Sequence, residues 1–171
     1  MRSVARARLL GLAIGVLTAG CGYTFGGNLP PHVKTVAVPV FTNLTQQPAI
    51  EGIITAGVVN AFANGGRLRV VPLAQADAVL EGEILSYDVQ PIAFNTGITA
   101  EVFRLRVTVN VKFKDVRNNT MLWKQDRLEE QSDFRVQGQV SQTISQERGG
   151  ASTEAAQDIG RKIVSLALDR F

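Results

Sequence analysis

The strictest alternation of hydrophobic and polar positions runs over residues 102–116. Phe103, Leu105, Val107, Val109, Val111 and Phe113 alternate with Arg104, Arg106, Thr108, Asn110, Lys112 and Lys114. A period of two sustained over that length predicts a strand with one face in a core and the other in water. Asn118 and Asn119 tolerate positive φ and turn the chain back into a second strand over residues 121–132. A two- or a three-residue loop would each fit this turn, and the choice decides which side chains face Lys112. Another long strand is expected over residues 78–90 (AVLEGEILSYDVQ), with residues 91–100 as the connection onward. Residues 35–41 (TVAVPVF) predict a first strand, in which Pro39 removes one backbone donor and implies an edge or a bulge.

Two stretches carry the helical period instead. Ile50, Ile53, Ile54, Gly57, Val58, Ala61 and Phe62 follow the i, i+3, i+4, i+7 spacing, with Pro48 before them, Glu51 in the first turn and Asn64-Gly65-Gly66 as the stop. Residues 67–72 (RLRVVP) then return as a short strand, making a βαβ unit with parallel strands. Near the C-terminus Ala156, Ile159, Ile163, Leu166, Ala167 and Phe171 form a second apolar stripe, with Ser152 or Thr153 as its cap. Residues 133–150, polar and broken by Gly138 and Gly149-Gly150, read as a loop or mobile segment. The order is β-α-β-β-β-β-α. Two helices with one apolar stripe each need a shared surface, so the expected fold is α+β: a two-layer sandwich with a mixed four- to five-stranded sheet, both helices on one face and the other face bare.

The first twenty residues follow a different rule. Arg2, Arg6 and Arg8 precede an apolar run over residues 9–17, and Thr18-Ala19-Gly20 leads into Cys21, the sole cysteine. The run is too short to span a bilayer and fits a secretory signal. Small residues directly before a cysteine resemble a bacterial lipobox, with Thr18 where a leucine is more usual and Leu17 one step earlier; the alternative is a plain signal with an incidental cysteine. The domains expected are a signal peptide (1–20), a lipidated tether (21–34) and a single α+β domain (35–171). Gly22, in place of an aspartate after Cys21, favours the outer membrane over the inner. Removing the signal changes the charge: the whole chain has 18 bases and 15 acids, and the signal takes three arginines and no acid. The remaining balance gives no reason to expect nucleic acid as a partner.

Little in the chain suggests catalysis. His32, the only histidine, stands in the Pro-Pro tether and reads as a solvated loop residue. No Cys, His and Asp cluster has metal-ligand spacing, and no glycine-rich loop joins a strand to a helix in phosphate-cradling form. Glu81 and Glu83 share a strand face, which suits solvation or cross-strand pairing better than an acid–base pair. No catalytic residue, metal or cofactor is expected, apart from the diacylglyceryl and N-acyl lipid on Cys21. The charge layout says more. Asp77, Glu81, Glu83, Asp88 and Glu101 occur between Val70 and Phe103 without a base, whereas Arg104, Arg106, Lys112, Lys114, Arg117 and Lys124 follow with Asp115 as their one acid. Either the two sets pair across the sheet, or the bases of a bare face await an anionic ligand. Of these, Lys112 and Lys114, beside the Asn118-Asn119 turn and close to Arg117, are the favoured ligand-binding residues, with Arg104 and Arg106 near the other end of the strand.

Cys21-Gly22-Tyr23, the stretch from Leu29 to Phe41 (LPPHVKTVAVPVF), the stretch from Ala76 to Ile84 (ADAVLEGEI) followed by Ser86-Tyr87, and Asp115-Val116-Arg117 with Leu122-Trp123 together resemble the LPS-assembly lipoproteins, LptE. The resemblance covers essentially the whole mature chain. It implies a two-helix, four-stranded sandwich, in which the short strand over residues 67–72 would merge with or leave the main sheet. It also implies a lipoprotein on the periplasmic face of the outer membrane that plugs the LPS-translocating β-barrel LptD and binds lipopolysaccharide. No short catalytic motif belongs to the family, and no lipopolysaccharide-contacting residue transfers by motif. The competing reading is a lipid-anchored scaffold of another envelope complex with no ligand of its own.

Overall fold

The computed structural model describes residues 29–65, 67–94, 100–136 and 140–169. Cys21, the signal and most of the tether lie outside the described residues. The elements, in order, are β1 (Thr35–Ala37), β2 (Thr42–Asn43), α1 (Ile50–Gly65), β3 (Arg69–Val70), a short 3-10 turn (Leu73–Gln75), β4 (Ala78–Phe94), β5 (Ala100–Asp115), β6 (Thr120–Arg135) and α2 (Val140–Asp169). They form the α+β arrangement expected: a mixed sheet in the order β3-β1-β4-β5-β6, with β2 also on β4, and two helices packed on it. β1 pairs in parallel with β3 and β4, and β4-β5-β6 is an antiparallel meander.

The first strand is split. Between Ala37 and Thr42 there are five residue steps, opposed by four on β4 between Val79 and Glu83. One extra residue is a bulge, and exposed Pro39 sits inside it, where its missing donor costs no ladder bond. The bulge turns Phe41 inward, and its ring lies over Gly82, where any side chain would overlap it. The short strand after α1 stays in the sheet at its edge, as the βαβ reading of the residues expected.

β5 keeps the predicted faces. Leu105, Val107, Val109, Val111 and Phe113 are fully buried against Ile54, Val58, Ile159 and Ile163 in one core. β4 does not alternate so simply, because a bulge between Ile84 and Ser86 shifts its parity. Ala78, Leu80 and Ile84 point to the helices before it, and Tyr87 does so after it, its hydroxyl 2.9 Å from Ser152 Oγ on α2. β4 also continues through Pro91 to Phe94, so part of the expected connection at 91–100 is strand.

The helices touch at glycine. A Cβ on Gly57 would overlap the Ala156 carbonyl, and one on Gly160 would lie 2.5 Å from the Gly57 carbonyl oxygen. The two backbones therefore pack directly on one another, and the small residues in both stripes are what permit it.

The largest difference from expectation is residues 133–150. β6 runs on to Arg135 and α2 is described from Val140, so 133–135 are strand and 140–150 helix rather than loop, with 137–139 outside the described residues. Gly149 and Gly150 lie inside the helix with open space around them, each costing about 1 kcal/mol against alanine. Burial of Ala151, Ala155, Ala156 and Ile159 offsets this. The buried residues described on this helix begin at Ala151, and Gln146, Glu147, Gly149 and Gly150 before it are exposed. Ser152 and Thr153 are not caps; they bond back to the carbonyls of Arg148 and Gly149 at 2.8 and 3.0 Å.

Candidate functional site

The sheet face opposite the helices carries all four bases of the β5 alternation. Arg104, Arg106, Lys112 and Lys114 point to it because their odd-numbered neighbours point to the core. Each meets an acid. Lys114 Nζ lies 2.6 Å from Glu81 and Lys112 Nζ 3.8 Å from Glu83, both reached diagonally, since the register sets Glu81 opposite Lys112. On the other flank Arg104 forms a two-pronged pair with Asp133, Nε to Oδ1 and Nη2 to Oδ2 both at 2.7 Å. Arg106 Nε stands 3.0 Å from Glu129 Oε1, close enough for an ion pair but not aligned as a hydrogen bond. The lysine pairs therefore use acids of β4 and the arginine pairs acids of β6. The Arg104 hydrogen bonds hold the Asp133 carboxyl below its ordinary range, and Asp133 in turn raises the guanidinium. The paired side chains remain roughly 35–50% exposed, so each pair adds at most about 1 kcal/mol. Thr108, midway along, is an exception to the wet face: its neighbours cover it to 5% exposure.

Register explains the ladder. The β5–β6 turn occupies residues 116–119, closed by the Asp115–Thr120 pair, so it is longer than either loop expected. Asn119 takes φ 51°. A bulge at Leu122, between the Lys114–Met121 and Phe113–Trp123 pairs, then sets Lys112 opposite Lys124, whose ammonium turns to Asp126 at 3.0 Å. A second bulge follows, where Arg127 at φ 51° donates its N–H to Asn110 Oδ1 at 3.0 Å. Beside these pairs a hollow of about 240 Å³ opens at the β1–β2 bulge, lined by Pro39, Val40, Thr42, Glu81, Glu83, Asn110 and Lys112. Its polar walls offer both signs of charge.

Arg117 stands apart from the ladder. It reaches Asp77 Oδ1 at 3.4 Å and is 65% exposed. Asp77 is itself committed: its Oδ2 accepts from Thr35 Oγ1 at 2.8 Å and from the backbone N–H of Lys34 and Thr35 at 3.1 Å. Those bonds, Thr35's hydroxyl foremost, hold its carboxyl below the ordinary range. Asp115, buried at the end of β5, accepts from His32 at 2.7 Å, from the N–H of Arg117 and Asn118, and from the Asn118 amide. Burial alone would push its carboxyl up, but the Asn118 and His32 hydrogen bonds together bring it below the ordinary range. His32 is thus a fastened residue rather than a solvated one, and Val33 beside it is buried. The expected tether up to Lys34 is packed on the domain in its last residues.

Residue patterning located the bases but not all of their partners. Nothing in the β5 alternation marks Glu129 and Asp133, although their spacing of four along the returning strand puts both on one sheet face. Among the described residues no group of three His, Cys, Asp or Glu side chains could hold a metal ion. The chain is thus a two-helix α+β sandwich whose open sheet face carries a ladder of ion pairs. The family model described as lipopolysaccharide-assembly, LptE, matches residues 33–166, and the chain belongs to this family. Among solved structures it is similar to a Xanthomonas campestris protein (10% identity, 86% of this chain and 93% of that one, TM-score 0.56). It is also similar to a Chlamydia trachomatis protein (12% identity, 79% and 95%, TM-score 0.55). A Caulobacter crescentus protein matches at 18% identity over 76% and 88%, with TM-score 0.50. At such identities the likeness is one of fold alone. No curated protein matches the chain significantly.

Proposed function

We propose that this chain is a non-enzymatic lipoprotein of the outer membrane, anchored on its periplasmic side through an acylated Cys21, that plugs and supports the LptD β-barrel and binds lipopolysaccharide on its open sheet face. The observation that carries the reading is the family match over residues 33–166. The lipobox-like sequence before Cys21 supports the anchor. The open face supports the ligand: Lys112 lines the hollow, Lys114 is paired with Glu81 of its wall, and both ammonium groups can exchange a carboxylate for a phosphate. Purifying the tagged chain from outer membrane and identifying the protein and lipid that accompany it tests the proposal. Recovery of neither LptD nor lipopolysaccharide would overturn it.

The scaffold reading draws on one observation, that all four β5 bases already have acidic neighbours. It expects a protein of another envelope complex in that purification, without LptD or lipopolysaccharide.

A further inference from the structure

The chain enters the domain at one end of the sheet, and that end has a character of its own. His32 and the N–H groups of Lys34 and Thr35 are fastened to Asp115 and Asp77, which flank the β5–β6 turn. Val116 N–H donates to the Asp77 carbonyl at 2.8 Å, and Arg69 N–H to the Lys34 carbonyl at 3.1 Å, so the turn, the entry and the edge strand adjoin. The 3-10 turn adjoins the same place, the Gln75 carbonyl oxygen lying 3.3 Å from Thr35 Oγ1. Three large apolar side chains stand out there: Leu73 is 58% exposed, Val116 47% and Met121 49%. The exposed bases Lys34, Arg69 and Arg117 accompany them. The acids of this end, Asp77 and Asp115, are occupied by the fastening and are mostly covered.

We infer that this end of the domain is a membrane-docking surface that lies on the anionic phospholipid leaflet, with Leu73, Val116 and Met121 at the interface and Lys34, Arg69 and Arg117 toward lipid phosphates. The inference rests on the proposed acylation of Cys21. Eight residue steps separate Cys21 from Leu29, a reach of at most about 28 Å, so an acylated Cys21 keeps this end near the bilayer. Apolar side chains framed by bases match the interface of an anionic leaflet, where each base strengthens partition about fivefold, equivalent to about 1 kcal/mol. The fastening through Asp77 and Asp115 turns proximity into orientation, because the described chain is held against the domain as far out as Leu29.

The test uses the acylated full chain in vesicles of phosphatidylethanolamine and phosphatidylglycerol, with an environment-sensitive label on a Met121→Cys variant or, about 33 Å further along β6, on a Gln131→Cys variant. Brominated lipid is expected to quench the label at 121 and to leave the label at 131 unchanged. Lys34→Glu/Arg117→Glu and, separately, Val116→Ser/Met121→Ser should abolish the quenching at 121 or, for the second pair, at a Leu73→Cys label, with circular dichroism unchanged. Equal quenching at 121 and 131, or quenching indifferent to both folded pairs, would overturn the docking surface. The mass of the N-terminal peptide from the same vesicles separates the two ideas. An unmodified Cys21 defeats the anchor alone if 121 is still quenched, whereas an acylated Cys21 without preferential quenching at 121 defeats the docking surface alone.

Discussion

His32 Nε2 lies 2.7 Å from Asp115 Oδ2, joining the segment that enters the domain to the last residue of β5, 83 positions away. Asp115 also closes the β5–β6 turn through Arg117 and Asn118. One buried carboxylate therefore organises both the turn and the chain's entry. Asp115→Ala should cost roughly 3 kcal/mol, because it strands several donors at once, and His32→Ala about 1 kcal/mol. Urea denaturation of the two variants checks this, and equal losses would show that the turn does not depend on Asp115.

The carboxyls of Asp77, Asp115 and Asp133 all sit below their ordinary value of 3.8. A depressed folded-state value means that the ionised form is favoured by folding, so the contribution is complete above the unfolded value and is lost as pH falls through the folded ones. The melting temperature should therefore decline steadily below about pH 4. Asp115→Asn should shallow that acid limb. An unchanged slope would mean that Asp115 contributes nothing to it.

Gly57 and Gly160 make the helix crossing. Either glycine replaced by valine must push the helices apart, and we expect a loss of about 3 kcal/mol, the upper range for overpacking, with alanine intermediate. Gly149→Ala, in open space inside the same helix, should instead stabilise by up to about 1 kcal/mol. Thermal melts of these five variants decide, and a neutral Gly57→Val would exclude direct backbone packing.

Burial on β5 predicts that Val107→Asp is severely destabilising, by several kcal/mol, through an unpaired buried charge. Thr108, although on the opposite face, is also covered, so Thr108→Asp should be harmful too. Exposed Gln131 is the place for a neutral Gln131→Glu control. Similar melting temperatures for Val107→Asp and Gln131→Glu would refute the face assignment.

Where one physical rule dominated, the sequence was readable. The alternation from Phe103 to Phe113 located the core face, and the stripe from Ile50 to Phe62 located α1, because each obeys a single period. β4 hid its pattern behind the bulge at Leu85, which exchanges the two faces halfway along. Residues 133–150 misled because local propensity at Gly149-Gly150 argues for a break, whereas the helix anchored by buried Ala151, Ala155 and Ile159 continues through both glycines at the cost of their propensity. His32 misled for a related reason: its partner lies across the fold, and no local pattern marks a histidine that will meet Asp115. The bases of the candidate site were visible by period two, whereas their pairing needed a register that the turn could not supply from sequence.

The ladder itself can be made to distinguish a binding face from a structural one. Lys112 and Lys114 are held by Glu83 and Glu81, so a phosphate must displace those carboxylates before it gains the lysines. Removing the acids should lower that cost. If the lysines bind lipopolysaccharide, Glu81→Gln/Glu83→Gln should tighten binding several-fold, since each exposed pair is worth at most about 1 kcal/mol. Lys112→Glu/Lys114→Glu should weaken it, and more so at low salt, where screening is least. Arg104→Glu/Arg106→Glu should have a smaller effect, because Arg104 is gripped by two hydrogen bonds from the other flank of the strand. Titration with purified lipopolysaccharide, under circular dichroism as the folding check, gives the order of the three variants. Should all three bind as the parent does, the open face is a cross-strand charge ladder and lipopolysaccharide is held elsewhere or not at all.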